Sequence, residues 1–504
     1  MSGYAQLFSR ASFGMESLLV RVEVDVANGL PALIIVGLPS TEVKEARERV
    51  RSAIVNSGCE FPAKRITVNL APADLPKSSG RFDLAIALGI LMASNQLSPD
   101  GWENFEILGE LSLKGEIQSV GGAISAARAA GLEKRQLLVS KKQTDLAFVR
   151  NSRHIKVVSE LRDCLKTQDE FAGIEPRDLQ VSERDYVGAL SGIIGNAHAK
   201  RALMIAAAGR HHLIMMGTPG TGKTLLARAL KKILPSIDKA SFEDVLLLQS
   251  LGASVDVEAI KRERPFRAPH HCSSRAAMIG GGPRLQPGEI SLAHHGVLFM
   301  DEFVEFPRDA LEALREPMES GIISLSRAQR KVRYPADFQL VAAVNPCPCG
   351  YAFSKKKACR CSPRQRASYL TKLSGPMLNR FDIQVVLDSE QRVVGEKEIQ
   401  STELFWKEEQ VSAAMGRQLK RQGCLNGELQ SEQLEILLRL SKDARNYFRK
   451  GVLSRDLSYR AQHAILRIAR TLADLSDREE TSQKDVVEAF SYQMIEPMLT
   501  ETQP

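Results

Sequence analysis

The chain has 504 residues, of which 43% are hydrophobic and 25% charged, and carries a net charge of +8. That length exceeds a single hydrophobic core and, at roughly 150 residues per domain, implies about three domains. The longest apolar run, Leu84 to Ala93, is about half of a membrane span. Residues Met1 to Gln6 show no basic region followed by an apolar one, so neither a membrane helix nor a secretory signal is expected. Cys59, Cys164, Cys272 and Cys424 stand alone, whereas four cysteines crowd between 347 and 361. This pattern suits a reducing cytoplasm and one metal site better than a disulfide framework. Between Arg327 and Lys372 stand eleven basic residues and the single acid Asp337. So focused a charge suits a polyanionic partner, although a solvated loop would have the same composition.

Residues 1–166 alternate apolar strands with helical segments. Leu18–Val26 alternates with period two, Leu33–Val36 reads as a buried strand, Thr41–Ser57 as an amphipathic helix and Ile66–Leu70 as another strand. A helix is expected to begin within Pro76–Leu88, a hairpin at Gly109–Glu116, and a further segment follows Val120-Gly121-Gly122. This α+β arrangement resembles the proteolytic domain of Lon-type proteases, without its chemistry. Such a site needs a serine nucleophile and a lysine base. Phe82 stands in the serine slot, and Ala123, Ile124 and Ser125 follow the Gly-Gly pair. Ser78 and Ser79 read as turn residues, and an inactive scaffold is expected.

Acids dominate and periodicity fades over 167–186, which reads as a linker. Residues 187–390 read as a nucleotide domain, opened by Ile193-Ile194-Gly195 and a helix over Asn196–Ala208. The buried strand Leu213–Met216 leads into Gly217-Thr218-Pro219-Gly220-Thr221-Gly222-Lys223-Thr224, and Leu225–Leu230 has helical spacing. Strand, glycine loop and helix in that order form a P-loop, whose backbone N–H groups and helix N-terminus cradle phosphate oxygens. Lys223 would reach the β- and γ-phosphates of ATP, and the Thr224 hydroxyl would join the Mg²⁺ shell. Val297–Met300 is an apolar strand ending in Asp301 and Glu302, as a Walker B element does. Asp301 would hold Mg²⁺ through water, and Glu302 would orient or deprotonate the attacking water. The strand Leu340–Val344 delivers Asn345, suited to positioning that water as sensor 1. Arg380, in Pro376-Met377-Leu378-Asn379-Arg380-Phe381-Asp382, would stabilise charge on the phosphoryl group held by a neighbouring subunit.

Beyond 391 the chain reads as an all-helical lid: Val393–Gln422, Ser431–Arg449, Leu457–Leu475 and Ser482–Ile495. Arg460, at the start of the third helix, suits sensor 2. Cys347, Cys349, Cys359 and Cys361 supply four thiolates, the number a closed tetrahedral Zn²⁺ site needs, with reduced free thiols as the alternative. The pairs His211-His212, His270-His271 and His294-His295 read as structural or turn residues.

With these elements in order the chain resembles the magnesium-chelatase-like AAA+ ATPases of the YifB/ComM type. Further segments carrying the likeness are Arg267-Ala268-Pro269-His270-His271-Cys272-Ser273-Ser274-Arg275, Gly280-Gly281-Gly282-Pro283, Pro287–His294 and Leu311–Gly321. The fold implied is an α/β AAA+ P-loop domain with a helical lid, preceded by the Lon-like domain. The resemblance further implies a homo-oligomeric ring, usually a hexamer, with no membrane association. It implies a hairpin ahead of sensor 1, with strands Gly321–Ala328 and Val332–Tyr334, pointing into the pore. Arg327, with Arg330 and Lys331 behind it, would then grip DNA phosphates. The activity implied is a cytoplasmic DNA motor on single-stranded or branched DNA, a branch-migration helicase serving homologous recombination in natural transformation, alongside recombination proteins. A protein-remodelling motor like the magnesium-chelatase ATPase subunit is the alternative.

Overall fold

A computed structural model describes residues 3–37, 41–73, 75, 77, 80–177, 190, 193, 195–252, 262–282, 285–327, 330–354, 357–373, 375–387, 408–493 and 495. The N-terminal unit is built on an eight-stranded mixed sheet. Its strands run across the sheet in the order Ala172–Gly173, Ile155–Val158, Gln136–Ser140, Phe105–Ile107, Gly3–Phe13, Glu16–Ala27, Arg65–Ala71 and Ala32–Val36. The period-two pattern of Glu16–Ala27 turns Val20, Val22, Val24 and Val26 into the core. There they meet the fully buried helix Asp83–Ala93. Phe82 is wholly buried at the start of that helix, and the Ser125 hydroxyl donates to the Gly122 carbonyl (2.8 Å). Ser78 and Ser79 lie outside the described residues. The expected linker begins later than 167: Phe171 packs with Trp102 and Phe105, and Ala172–Gly173 completes the sheet.

The second unit is organised by a five-stranded, all-parallel sheet. Its order is Phe266–Arg267, Val297–Met300, Gln339–Val344, Leu213–Met216 and Ile383–Val386. A parallel sheet is covered on both faces, so its strands are mostly apolar, Arg267, Gln339 and Gln384 apart, and successive side chains enter different cores. Leu213, Met215, Phe299, Val341, Ala343, Ile383 and Val385 pack on one side against the C-terminal helices. Ile214, Met216, Leu298, Met300, Leu340, Ala342 and Val344 pack on the other, against the hairpin strands. The central strand is Gln339–Val344, and the P-loop strand lies between it and Ile383–Val386, so its C-terminal end opens between flanking strands where ligands bind in such sheets.

The C-terminal helices are Glu408–Gln422, Ser431–Leu437, Lys442–Arg455, Tyr459–Leu475 and Gln483–Phe490. The single helix expected over Ser431–Arg449 is two. Arg439 takes a left-handed backbone (φ +41°), its carbonyl accepts the Thr481 N–H, and Ser441 caps a fresh helix by accepting from Ala444 N–H (3.2 Å). The part of Val393–Gln422 before 408 lies outside the described residues.

The two units share a core. Leu108, Val120, Ile124 and Ala127 of the first pack with Phe242, Val245, Leu246 and Leu247 of helix Lys239–Gly252 in the second. Arg128 pairs with Asp244 (2.9 Å) across the same boundary. The turn Phe13-Gly14-Met15 leans on the other core, and a Cβ at Gly14 would fall 2.3 Å from Val332.

Candidate nucleotide site and basic hairpin

The P-loop, both acids and Asn345 meet at the C-terminal ends of three adjacent strands. Gly222 takes φ +88° as the cap of helix Lys223–Ile233, a conformation that glycine adopts without strain. Lys223 Nζ donates to the Gly217 carbonyl (2.7 Å), the Thr218 carbonyl (3.1 Å) and Asn345 Oδ1 (3.1 Å). Thr224 Oγ1 donates to Asp301 Oδ2 (3.0 Å). Burial pulls the Lys223 ammonium below its usual pKa, and Asp301 and Glu302 pull it back. A lysine, a hydroxyl, two carboxylates and an amide are thus gathered as a triphosphate, its Mg²⁺ and a water would require.

Glu302 sits at φ +51°, a left-handed backbone unusual for glutamate, and its carboxylate lies 3.1 Å from His271 Nδ1. The loop bearing His271 is held at both ends. Arg267 makes two hydrogen bonds to Glu289, each 2.6 Å, and Ser274 caps the helix Arg275–Ile279. His271 therefore contacts an acid of the site and is more than a turn residue. Sequence reading missed it because the strand preceding its loop, Phe266–Arg267, is only two residues long.

The two predicted arginines are together, in a cleft that no P-loop residue lines. Arg380 and Arg460 both reach Glu319 Oε1, at 2.6 and 3.2 Å. They line a cleft of about 750 Å³ that includes Arg467, His463 and Arg210. Arg380 is largely buried, and its Nε has no partner among the described residues. Burial lowers its pKa, Glu319 works against that, and Arg460 and Arg315 add to it. So the structure brings Arg460 to Arg380, and neither to this chain's own Lys223. The two are fixed as a unit. Asp382, two residues after Arg380, accepts from Arg467 (3.3 Å) on the helix that bears Arg460, and pairs with His211 (2.8 Å). Burial works to raise the Asp382 carboxyl, yet Arg467 and His211 hold it at about 2.

The hairpin is present as Ile322–Arg327 paired with Arg330–Pro335. Ile323, Leu325, Val332 and Tyr334 face the core, while Ser324, Ser326, Lys331 and Arg333 alternate outward. The backbones of Arg327 and Arg330 pair at its end. Their side chains lie outside what is described. Arg333, which sequence reading left among the general basic residues, shares the outer face with Lys331.

Cys347, Cys349, Cys359 and Cys361 converge, with sulfurs mutually within 4.8 Å. Three of the separations are 3.4, 3.7 and 3.6 Å. Four thiolates about 2.3 Å from a tetrahedral Zn²⁺ would stand about 3.8 Å apart, so the cluster could hold that ion. Backbone N–H groups of Tyr351 and Arg360 pull the Cys349 thiol down to about 6, and burial pushes Cys347 up to about 12. No helix among the described residues is long and apolar enough to cross a membrane.

Family models of the magnesium chelatase subunit ChlI match three stretches. "Magnesium chelatase, subunit ChlI" covers 189–394, "Subunit ChlI of Mg-chelatase" covers 22–143, and the subunit's C-terminal model covers 406–493. Similarity to single proteins extends nearly end to end. The chain is 42% identical to YifB of Escherichia coli over 98% of each chain. It is 41% identical to YifB of Salmonella typhimurium over 99% of each. It is likewise 41% identical to "Competence protein ComM" of Haemophilus influenzae over 98% of each. With three chelatase models tiling one chain and near-complete coverage of these relatives, the chain belongs to the YifB/ComM-type, magnesium-chelatase-like family.

Proposed function

We propose that this protein is an ATP-driven ring that moves along single-stranded or branched DNA, a branch-migration helicase aiding integration of incoming DNA during transformation. The observation that carries the reading is the separation of two half-sites. Lys223, Thr224, Asp301, Glu302 and Asn345 form one, and Arg380 with Arg460 forms the other in a separate cleft. A triphosphate on the first half lacks arginines, and the arginines lack a triphosphate, so a second copy of the chain completes both. In that arrangement Thr224 and Asp301 hold Mg²⁺, Asn345 and Glu302 place and activate water, and both arginines act on the neighbour's phosphates. A closed ring of copies, a hexamer in our reading, follows from such head-to-tail contacts. The outward row of Lys331 and Arg333, with Arg327 and Arg330 beside it, supports a sequence-independent grip on a phosphate backbone.

The name of the Haemophilus relative supports a role in competence, and the cytoplasm is where such a ring would meet incoming DNA. The N-terminal unit acts as a proteolytically inert, Lon-like scaffold, since Phe82 is a core residue. The four cysteines hold a structural Zn²⁺. ATP turnover with and without single-stranded and forked DNA tests the motor. Stimulation by DNA, lost with Lys331→Ala/Arg333→Ala, is expected. Turnover indifferent to every DNA would favour instead a protein-remodelling motor like the chelatase subunit.

A further inference from the structure

We infer that the four-cysteine knot is a clamp on the nucleotide loop, so that affinity for ATP follows occupancy of the knot by Zn²⁺. The inference rests on the zinc reading above, and its test separates the two. The knot is bordered by the nucleotide site at each end. It begins two residues after Asn345, whose Oδ1 accepts from Lys223 Nζ. Cys347 is fully buried there. At Gly350, just past Cys349, the backbone turns through φ +82° and meets the P-loop. A Cβ at that position would stand 2.6 Å from Pro219 Cδ and 2.7 Å from Pro219 Cγ. On the far side, Cys361 is followed at once by Ser362, which caps helix Pro363–Leu370 with a reciprocal bond to Gln365. That helix carries Tyr369, buried with its hydroxyl facing the Asn345 backbone N–H.

Three elements of the nucleotide site are therefore joined through a single cluster: the tip of the glycine loop, the amide at the end of the central strand, and the helix behind it. Cys349 and Cys359 belong to opposite ends of a loop. Holding them 3.6 Å apart orders the chain between them, at an entropic cost that metal–sulfur bonds offset. Zinc favours the sulfur geometry already present, and the same bonds fix Gly350 against Pro219. Loss of the ion would free residues 347–350 to relax. Pro219 and Asn345 would then lose the surface that sets where the phosphates lie.

The test uses the full chain, with zinc measured by elemental analysis and affinity by titration with a fluorescent ATP analogue in Mg²⁺. Protein as purified is expected to carry one zinc per chain. Stripping with a thiophilic chelator, or Cys359→Ser/Cys361→Ser, removes it and weakens nucleotide binding roughly tenfold or more. Returning Zn²⁺ to the stripped wild-type chain restores both. Gly350→Ala keeps its zinc and still weakens binding, because the added methyl group displaces Pro219. That second variant keeps the idea testable if the cysteine variant fails to fold. Wild-type affinity in the zinc-free protein, or in Gly350→Ala with zinc bound, overturns the clamp and leaves the zinc reading standing. A purified chain that contains no zinc, and takes none up, overturns the zinc reading itself.

Discussion

Glu302 is where small changes should be most visible. It is strained into a left-handed backbone and held by His271, while its neighbour Asp301 is occupied by Thr224. Replacing it with glutamine removes the base and leaves the phosphate cradle untouched. Glu302→Gln is therefore expected to bind the ATP analogue normally while turnover falls by roughly 10² or more. His271 calls for a different outcome. His271 Nδ1, 3.1 Å from the carboxylate, would as a donor occupy one lone pair that an attacking water could otherwise use. His271→Ala should raise turnover in the absence of DNA several-fold with little change in KM, whereas His271→Asn, which keeps an N–H, stays near wild type. Steady-state kinetics at fixed pH decides this, and a loss of turnover in the alanine variant would refute a restraining role for His271. The P-loop and both acids were legible in the sequence because each lies in one contiguous stretch. His271 and Glu319 were not, since only the folded sheet and the cleft bring them to their partners.

At the scale of elements, alternation explains most of what could be read beforehand. The hairpin's inner row, Ile323, Leu325, Val332 and Tyr334, anchors it, and Tyr334 donates to the Leu285 carbonyl at 2.7 Å. Its outer row is left for charge. Removing Lys331 and Arg333 together should lower DNA affinity alike for all sequences and flatten the plot of log affinity against log salt by about two units. Binding isotherms at several salt concentrations measure that slope, and an unchanged slope would mean that the outer row does not touch phosphates. Where periodicity misled, tertiary contacts prevailed. A continuous helical pattern over 431–449 hid the break at Arg439, which exists to let Thr481 pair alongside. Phe266–Arg267 is too short for any periodicity, though it forms the sheet's edge.

For the whole molecule, the prediction that matters most is complementation between copies. Arg380→Ala and Glu302→Gln each remove one half of a site. A mixture of the two proteins should regain part of the turnover that each has lost, because some junctions pair an intact arginine with an intact base. No recovery on mixing would place the arginines in service of their own chain's nucleotide, against their placement in a cleft that no P-loop residue lines. Stability should also depend on acid. Burial, with His295 and Arg210 adding to it against Asp337, pulls His294 from 6.5 down to about 4. Between those values the unfolded chain takes up a proton that the folded chain refuses, so stability falls as pH drops through that window. Thermal melting at pH 7, 6 and 5 should show the decline, and His294→Gln should lessen it. The P-loop strand and the strands ending in Asp301 and Asn345 were accessible from pattern, but not their order in the sheet. The joining of the two units was not, because helix Lys239–Gly252 looks in isolation like any ordinary apolar helix.

That joining has a practical corollary. Phe242, Val245, Leu246 and Leu247 face Val120 and Ile124 rather than solvent, and Phe13 and Met15 rest on the core that holds the hairpin's inner row. Cutting the chain near 178 to isolate the second unit would strip those side chains of their cover, and the fragment should self-associate or precipitate. Any tilt of the hairpin would likewise be felt at Gly14, which lies against Val332, so the first third of the chain would move with it.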